Sequence, residues 1–114
     1  VRTYFAHGNC FGCQDADAVM AGRARHPDRL LTWARRGRSH HFAGRPTLVA
    51  VAEESLDLAS PDAVTLWRTR LDMVQTRAVQ ELLDRVPSDL LSVPSRRFCL
   101  RLLQLNRRRV LDGD

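Results

Sequence analysis

The segment His7-x-x-Cys10-x-x-Cys13 carries the most reactive side chains of the sequence. Thiolates and a neutral imidazole are good zinc ligands, and gaps of two residues let neighbouring ligands face one ion. His40 completes a set of four, with its neighbour His41 as the other choice. Zinc is therefore the one cofactor these residues suggest. Against it stands the lack of a second pair, since no later C-x-x-C or H-x-x-x-H follows. A redox C-x-x-C needs a thiol pKa lowered at a helix start, and no thioredoxin-like strand-helix pattern surrounds this one. The preferred reading is plainer: two small, half-buried thiols beside a tight turn. Cys99, on the apolar face of a predicted helix, reads as core.

Other chemistries are missing from the sequence. It contains no glycine-rich phosphate loop, no G-x-G-x-x-G, no G-x-S-x-G and no H-E-x-x-H. No local motif puts a nucleophile beside a base and an orienting acid. Catalysis by this chain alone is not expected.

The charge is clustered. All 18 basic residues are Arg, against 13 acids, for a net +5. Residues 23–45 hold seven Arg against Asp28 alone, and residues 96–109 hold six Arg with no acid. Such clusters can meet phosphate. The candidate anion contacts are Arg35, Arg36 and Arg38 in the first cluster and Arg107, Arg108 and Arg109 in the second. No aromatic platform is interleaved with them, so a solvated face, or pairing with the central acids, is preferred to nucleic-acid binding.

These residues need elements to position them. Arg2–Ala6 predicts a short strand ending in the turn His7-Gly8-Asn9. Residues 15–25 predict a helix, with Asp15 and Asp17 at its positive end. Pro27 is placed to open a second helix to about residue 36, stopped by Gly37. Residues 37–46 read as a loop. Thr47–Ala52 is a β-like apolar run, too short to separate from a buried helical turn. Ser60-Pro61 is a strong helix start. Val64, Trp67, Leu71, Val74, Ala78, Leu82 and Val86 then recur at steps of three or four, which predicts one long amphipathic helix ended by Pro87. A last helix over about 95–110 carries Phe98, Leu102 and Leu105, with Cys99 and Leu103, inward.

The expected fold is mainly α: a small helical domain with two long packed C-terminal helices and one or two short N-terminal strands. Residues 1–52 form a Cys/His/Arg-rich front part and 60–112 a helical hairpin, within a single small domain or a C-terminal fragment. Trp67, Leu71, Val74, Leu82, Phe98, Leu102 and Leu105 are the expected core anchors, with Trp33 a further anchor. At 114 residues the chain can bury one core with little margin. No apolar run approaches the roughly 18 residues of a membrane span, and no signal-like apolar stretch follows Val1–Phe5. With an odd cysteine count, this points to reduced thiols and a cytoplasmic location.

Two family resemblances enter here. Tyr4-Phe5-Ala6-His7-Gly8-Asn9-Cys10-Phe11-Gly12 resembles the strand-end "I-D-H-G-x-C-F-G" of HipA-like kinases. Trp67 to Leu71, then Val86-Pro87-x-x-Leu90-Leu91, Leu102-Leu103 and Asn106-Arg107-Arg108-Arg109 resemble that family's closing helices, where a proline break separates a long helix from an Arg-rich last one. Residues 14–63 are left unexplained. In such kinases the Asp of "D-H-G" holds the magnesium that bridges ATP phosphates. Here that position is Ala6, and a methyl group cannot coordinate a metal. His7 and Gly8 carry over as turn residues only. The resemblance implies a C-terminal remnant without a working ATP site, acting by binding a protein partner or by self-association.

The second resemblance covers residues 9–48. Asn9-Cys10-x-Gly12-Cys13, His26-Pro27-Asp28, Trp33, Phe42 and Pro46-Thr47-Leu48 are similar to the C-terminal region of phosphoadenosine phosphosulfate reductase-like proteins. It departs where those proteins carry Glu after the Trp, since Ala34-Arg35-Arg36 stands here, and it says nothing of the helices after Ser60. It implies a zinc or redox C-x-x-C site. The alternative functions are therefore that site and an Arg-rich binder of nucleic acid or an acidic partner.

Overall fold

The computed structural model describes residues 13–112. Six helices occupy them: α1 (Cys13–Arg25), α2 (Pro27–Ala34), α3 (Leu48–Asp57), α4 (Pro61–Asp72), α5 (Thr76–Asp84) and α6 (Val93–Asp112). The mainly α class is as expected. The predicted strand at Arg2–Ala6 lies outside the described residues.

Local sequence explains most of the boundaries. α1 ends before His26-Pro27, and Pro27 then starts α2 at its first position. Ser60 caps α4, its hydroxyl accepting from the Ala63 N–H at 3.3 Å, with Pro61 at the first position. Ser92 does the same for α6, its hydroxyl accepting from the Ser95 N–H at 3.3 Å.

Thr47–Ala52 is not a strand. Thr47 caps α3, its Oγ1 accepting from the Ala50 N–H at 3.0 Å. The run continues into Glu53, Glu54 and Leu56, good helix formers, so the cap and the downstream propensity outweigh the β preference of the two valines. Among the described residues the nearest thing to a sheet is an isolated antiparallel bridge between Arg38 and Thr47. It closes the loop that joins α2 to α3, in which Gly44 and Arg45 both take positive φ, 75° and 49°. Gly supplies that conformation at no steric cost; Arg45 adopts it under strain.

The long helix expected over 60–86 is two helices, broken at Met73–Gln75. A tertiary contact accompanies the break. Arg107 on α6 reaches the C-terminal end of α4, donating from Nε to the Leu71 carbonyl at 2.8 Å and from Nη2 to the Asp72 carbonyl and to Asp72 Oδ1, the latter at 2.9 Å. Both carbonyls lie in the last turn of α4, where a helix end leaves acceptors short of intrahelical donors; Leu71 also accepts from the Val74 N–H at 3.3 Å. Arg96 clasps the segment after α5 in the same way, donating to the Val86 carbonyl at 2.7 Å, with Asp84 Oδ1 3.6 Å from its other terminal nitrogen.

α6 is the axis of the fold, and each of the other five helices packs on it. α1 runs alongside in the same direction. Asp17 near its start accepts hydroxyl bonds from Ser92 at 2.6 Å and Ser95 at 3.2 Å. α5 runs the opposite way, with Gln104 donating to the Thr76 hydroxyl at 3.1 Å at one end and Arg96 holding Val86 at the other. The apolar centre therefore lies between α1, α2, α3 and α6, not between the two expected C-terminal rods. Leu30, Ala34, Val49 and Phe98 are its buried apolar residues. Of the expected anchors, Phe98 is buried and Leu71, Leu102 and Leu105 are half-buried. Trp67, Val74 and Leu82 are exposed, at 57%, 42% and 61%. The break at Met73–Gln75 turns α5 so that Val79 and Leu83 occupy its inner side, with Val86 half-buried just beyond its end. No described helix is long and apolar enough to cross a membrane.

Candidate functional site

Two concavities share a wall. Trp33 on α2 and Arg23 on α1 form it, with the Arg23 guanidinium carbon 5.2 Å from the centre of the indole. That is a cation–π distance. On one side lies an open groove of about 670 Å³ between α1 and α2, with Arg29, Arg36, Asp28 and Thr32 on its sides. On the other lies a cavity of about 350 Å³ between α1, α2, the start of α3 and α6.

The cavity walls are mostly apolar. Met20, Trp33, Leu48, Phe98 and Leu102 contribute them, with the Cys99 thiol. Phe98, 3% exposed, fixes Trp33 edge to face, with ring centres 5.1 Å apart and planes at 73°. Ser95 orients Met20, its hydroxyl lying 3.2 Å from the thioether sulfur. Polar groups gather on the α6 side. Arg109, 6% exposed, donates from Nη1 to Asn106 Oδ1 at 3.2 Å, and both residues line the cavity. Burial pushes the Cys99 thiol above its ordinary pKa, because the thiolate is the form that loses hydration. The shift favours the thiol over the thiolate, which is the reactive form.

The sequence-predicted ligands are placed as follows. His7 and Cys10 lie outside the described residues, and Cys13 is the first residue of α1. His40 is exposed in the α2–α3 loop, where Arg45 Nη2 lies 3.0 Å from its Nδ1. A guanidinium only donates, so this contact occupies Nδ1 as an acceptor. Among the described residues, no three His, Cys, Asp or Glu side chains come together as a metal site.

The two Arg groups differ. Arg35, Arg36 and Arg38 are all exposed around the end of α2. Arg107, Arg108 and Arg109 do not form one surface. Arg107 is committed to the end of α4, Arg109 is buried beside Asn106, and Arg108 is exposed. Consecutive residues of a helix point about 100° apart, which separates the three. Sequence reasoning placed Trp33 and Phe98 in the core but missed the cavity that they border. Arg23, Asn106 and Arg109 had no signal beyond charge and helical phase to connect them.

No family model, curated protein or solved structure matches this chain.

Proposed function

We propose that the chain is a non-catalytic helical module, akin to the closing helices of HipA-like kinases, that works by binding and self-associates through α4 and α5. The family reading is supported by the motifs in residues 4–12 and 67–109 and by the Pro87 break between α5 and the Arg-rich α6, and the non-catalytic part by Ala6 where those kinases carry the magnesium-holding Asp.

One observation carries the binding role. α4 and α5 leave Leu66, Trp67 and Leu82 exposed at 48%, 57% and 61% while their other sides are held to α6 by Arg107 and Arg96. Exposed large apolar side chains gathered on one face suit an interaction surface, and here the Arg70 guanidinium carbon lies 5.2 Å from the centre of the Trp67 ring. The charge of the same stretch selects the partner. Residues 61–85 hold four Arg (Arg68, Arg70, Arg77, Arg85) and four acids (Asp62, Asp72, Glu81, Asp84), although the whole chain is +5. A two-fold contact brings a patch against itself. A balanced patch meets its copy without like-charge repulsion, whereas the basic stretch 23–45 would not.

Light scattering across a concentration series tests this. The wild type is expected to form a dimer or larger assembly, and a Trp67→Arg/Leu82→Arg variant to stay monomeric with unchanged circular dichroism. A parallel assay with ATP and magnesium addresses the non-catalytic part: robust phosphotransfer by the purified chain would overturn it.

A further inference from the structure

The open groove between α1 and α2 lies apart from the α4–α5 surface. It is where the first arginine cluster meets a concave wall. Arg23 of α1, Arg29 of α2 and Arg36 just beyond α2 line it, with Asp28 the one acid among its described lining residues. The surrounding sequence has the same sign: residues 1–45 hold eight Arg against Asp15, Asp17 and Asp28. Asp17 is already engaged by Ser92 and Ser95. Among the described residues, no ion pair or side-chain hydrogen bond occupies the Arg29 or Arg36 guanidinium. The second cluster differs, since Arg96 and Arg107 are spent on carbonyls and carboxylates.

The α1 side of the groove is small and apolar, with Ala18, Val19 and Gly22. A glycine inside a helix is less stable than alanine would be. Yet a Cβ built on Gly22 meets nothing within 4 Å. Packing among the described residues does not require this glycine; its bare backbone instead deepens the groove opposite Trp33.

Guanidinium forks match carboxylates, and the apolar wall suits a hydrophobic side chain between them. Single-stranded nucleic acid is the poorer match. It stacks its bases on bare aromatic faces, whereas the one indole here already has the Arg23 guanidinium carbon 5.2 Å from its centre. A phosphate backbone also offers nothing apolar to Ala18 and Val19.

We propose that the α1–α2 groove docks an acidic peptide segment of a partner protein, an apolar side chain seated over Gly22 and flanking carboxylates held by Arg29 and Arg36. These two arginines stand seven residues apart, about 10 Å along the helical turns. An extended peptide advances about 3.3 Å per residue, so acids three positions apart, enclosing two apolar residues, match that spacing.

The test titrates the full chain into fluorescein-labelled Gly-Glu-Glu-Leu-Phe-Glu-Glu-Gly and follows anisotropy. Saturable binding is expected. Replacing every Glu of the peptide by Gln, or Leu-Phe by Gly-Gly, should each weaken it about tenfold or more. Arg29→Gln/Arg36→Gln should weaken it to a similar degree. Arg97→Gln/Arg101→Gln, which removes equal charge from exposed positions on α6, should change it less than about twofold. Gly22→Leu separates docking from folding: it should keep or raise the melting temperature while losing the peptide. Absence of saturable binding, indifference to Gly22→Leu or to Arg29→Gln/Arg36→Gln, or equal loss in the α6 variant would each overturn the proposal. So would an unlabelled thymidine oligonucleotide that binds as tightly as the peptide, which would make nucleic acid the occupant. Self-association that Gly22→Leu abolishes would make it a second copy of this chain, and would equally overturn the proposal.

Discussion

The Trp33 indole stands edge to face with the Phe98 ring, 5.1 Å between centres and 73° between planes. This pair ties α2 to the central helix. It also holds the wall that separates the α1–α2 groove from the inner cavity. Removing Phe98 should therefore do two things. Phe98→Ala is expected to cost about 3–5 kcal/mol, and to shift Trp33 emission to the red as water reaches the ring. Urea unfolding and fluorescence of a Trp67→Phe background measure both.

Arg107 and Arg108 are neighbours with different work. Arg107 holds the carbonyl end of α4; Arg108 is exposed. Arg107→Met should lower stability by about 1.5–3 kcal/mol, the range for hydrogen bonds to a charged group. Arg108→Met should stay within about 0.5 kcal/mol of wild type. Urea midpoints at constant m value check the contrast. Equal effects would mean that the clasp does not hold α4 in solution.

Thr47 separates the strand and helix readings of residues 47–52. As a cap, its hydroxyl matters and its β-branched shape does not. Thr47→Val is expected to cost about 1 kcal/mol, and Thr47→Ser little. A strand would favour Val, so a neutral or stabilising Thr47→Val in thermal unfolding would contradict the cap.

The Cys99 thiol, raised by burial, gives a pH signature. In a Cys10→Ser/Cys13→Ser background, alkylation should begin at higher pH in the folded chain than in the same chain in urea. The sign for stability follows. The fold holds the thiol proton more tightly than the unfolded chain does, so the contribution is intact below the ordinary thiol pKa and is lost as pH rises through the folded value. Cys99→Ala should flatten that part of the alkaline stability profile.

Much of the helical class was legible in the residues. Ser60-Pro61, Pro27 and Pro87 act locally, through a side-chain cap or a missing N–H, and they mark boundaries at or near the places expected. The break at Met73–Gln75 carries no Pro or Gly, and the Arg107 clasp that accompanies it comes from residues far along the chain. The periodic stripe through Trp67, Val74 and Leu82 was a true pattern read with the wrong partner: it runs across the break, and α5 turns Val79 and Leu83 inward instead. α6 was read as one face of a hairpin because its many Arg look like a solvated side. Arg96, Arg107 and Arg109 instead run their stems along the fold and spend their charged ends on carbonyls and Asn106. That is how so polar a helix comes to lie at the centre, and it is also why the basic end of the cavity was not foreseen.

Self-association through α4 and α5 is most directly examined by sedimentation equilibrium of the wild type beside Trp67→Arg/Leu82→Arg. The wild type should show a concentration-dependent mass reaching at least twice 13.0 kDa, and the variant a single monomeric mass. A monomeric wild type up to its solubility limit, or a variant that associates as strongly, would contradict it.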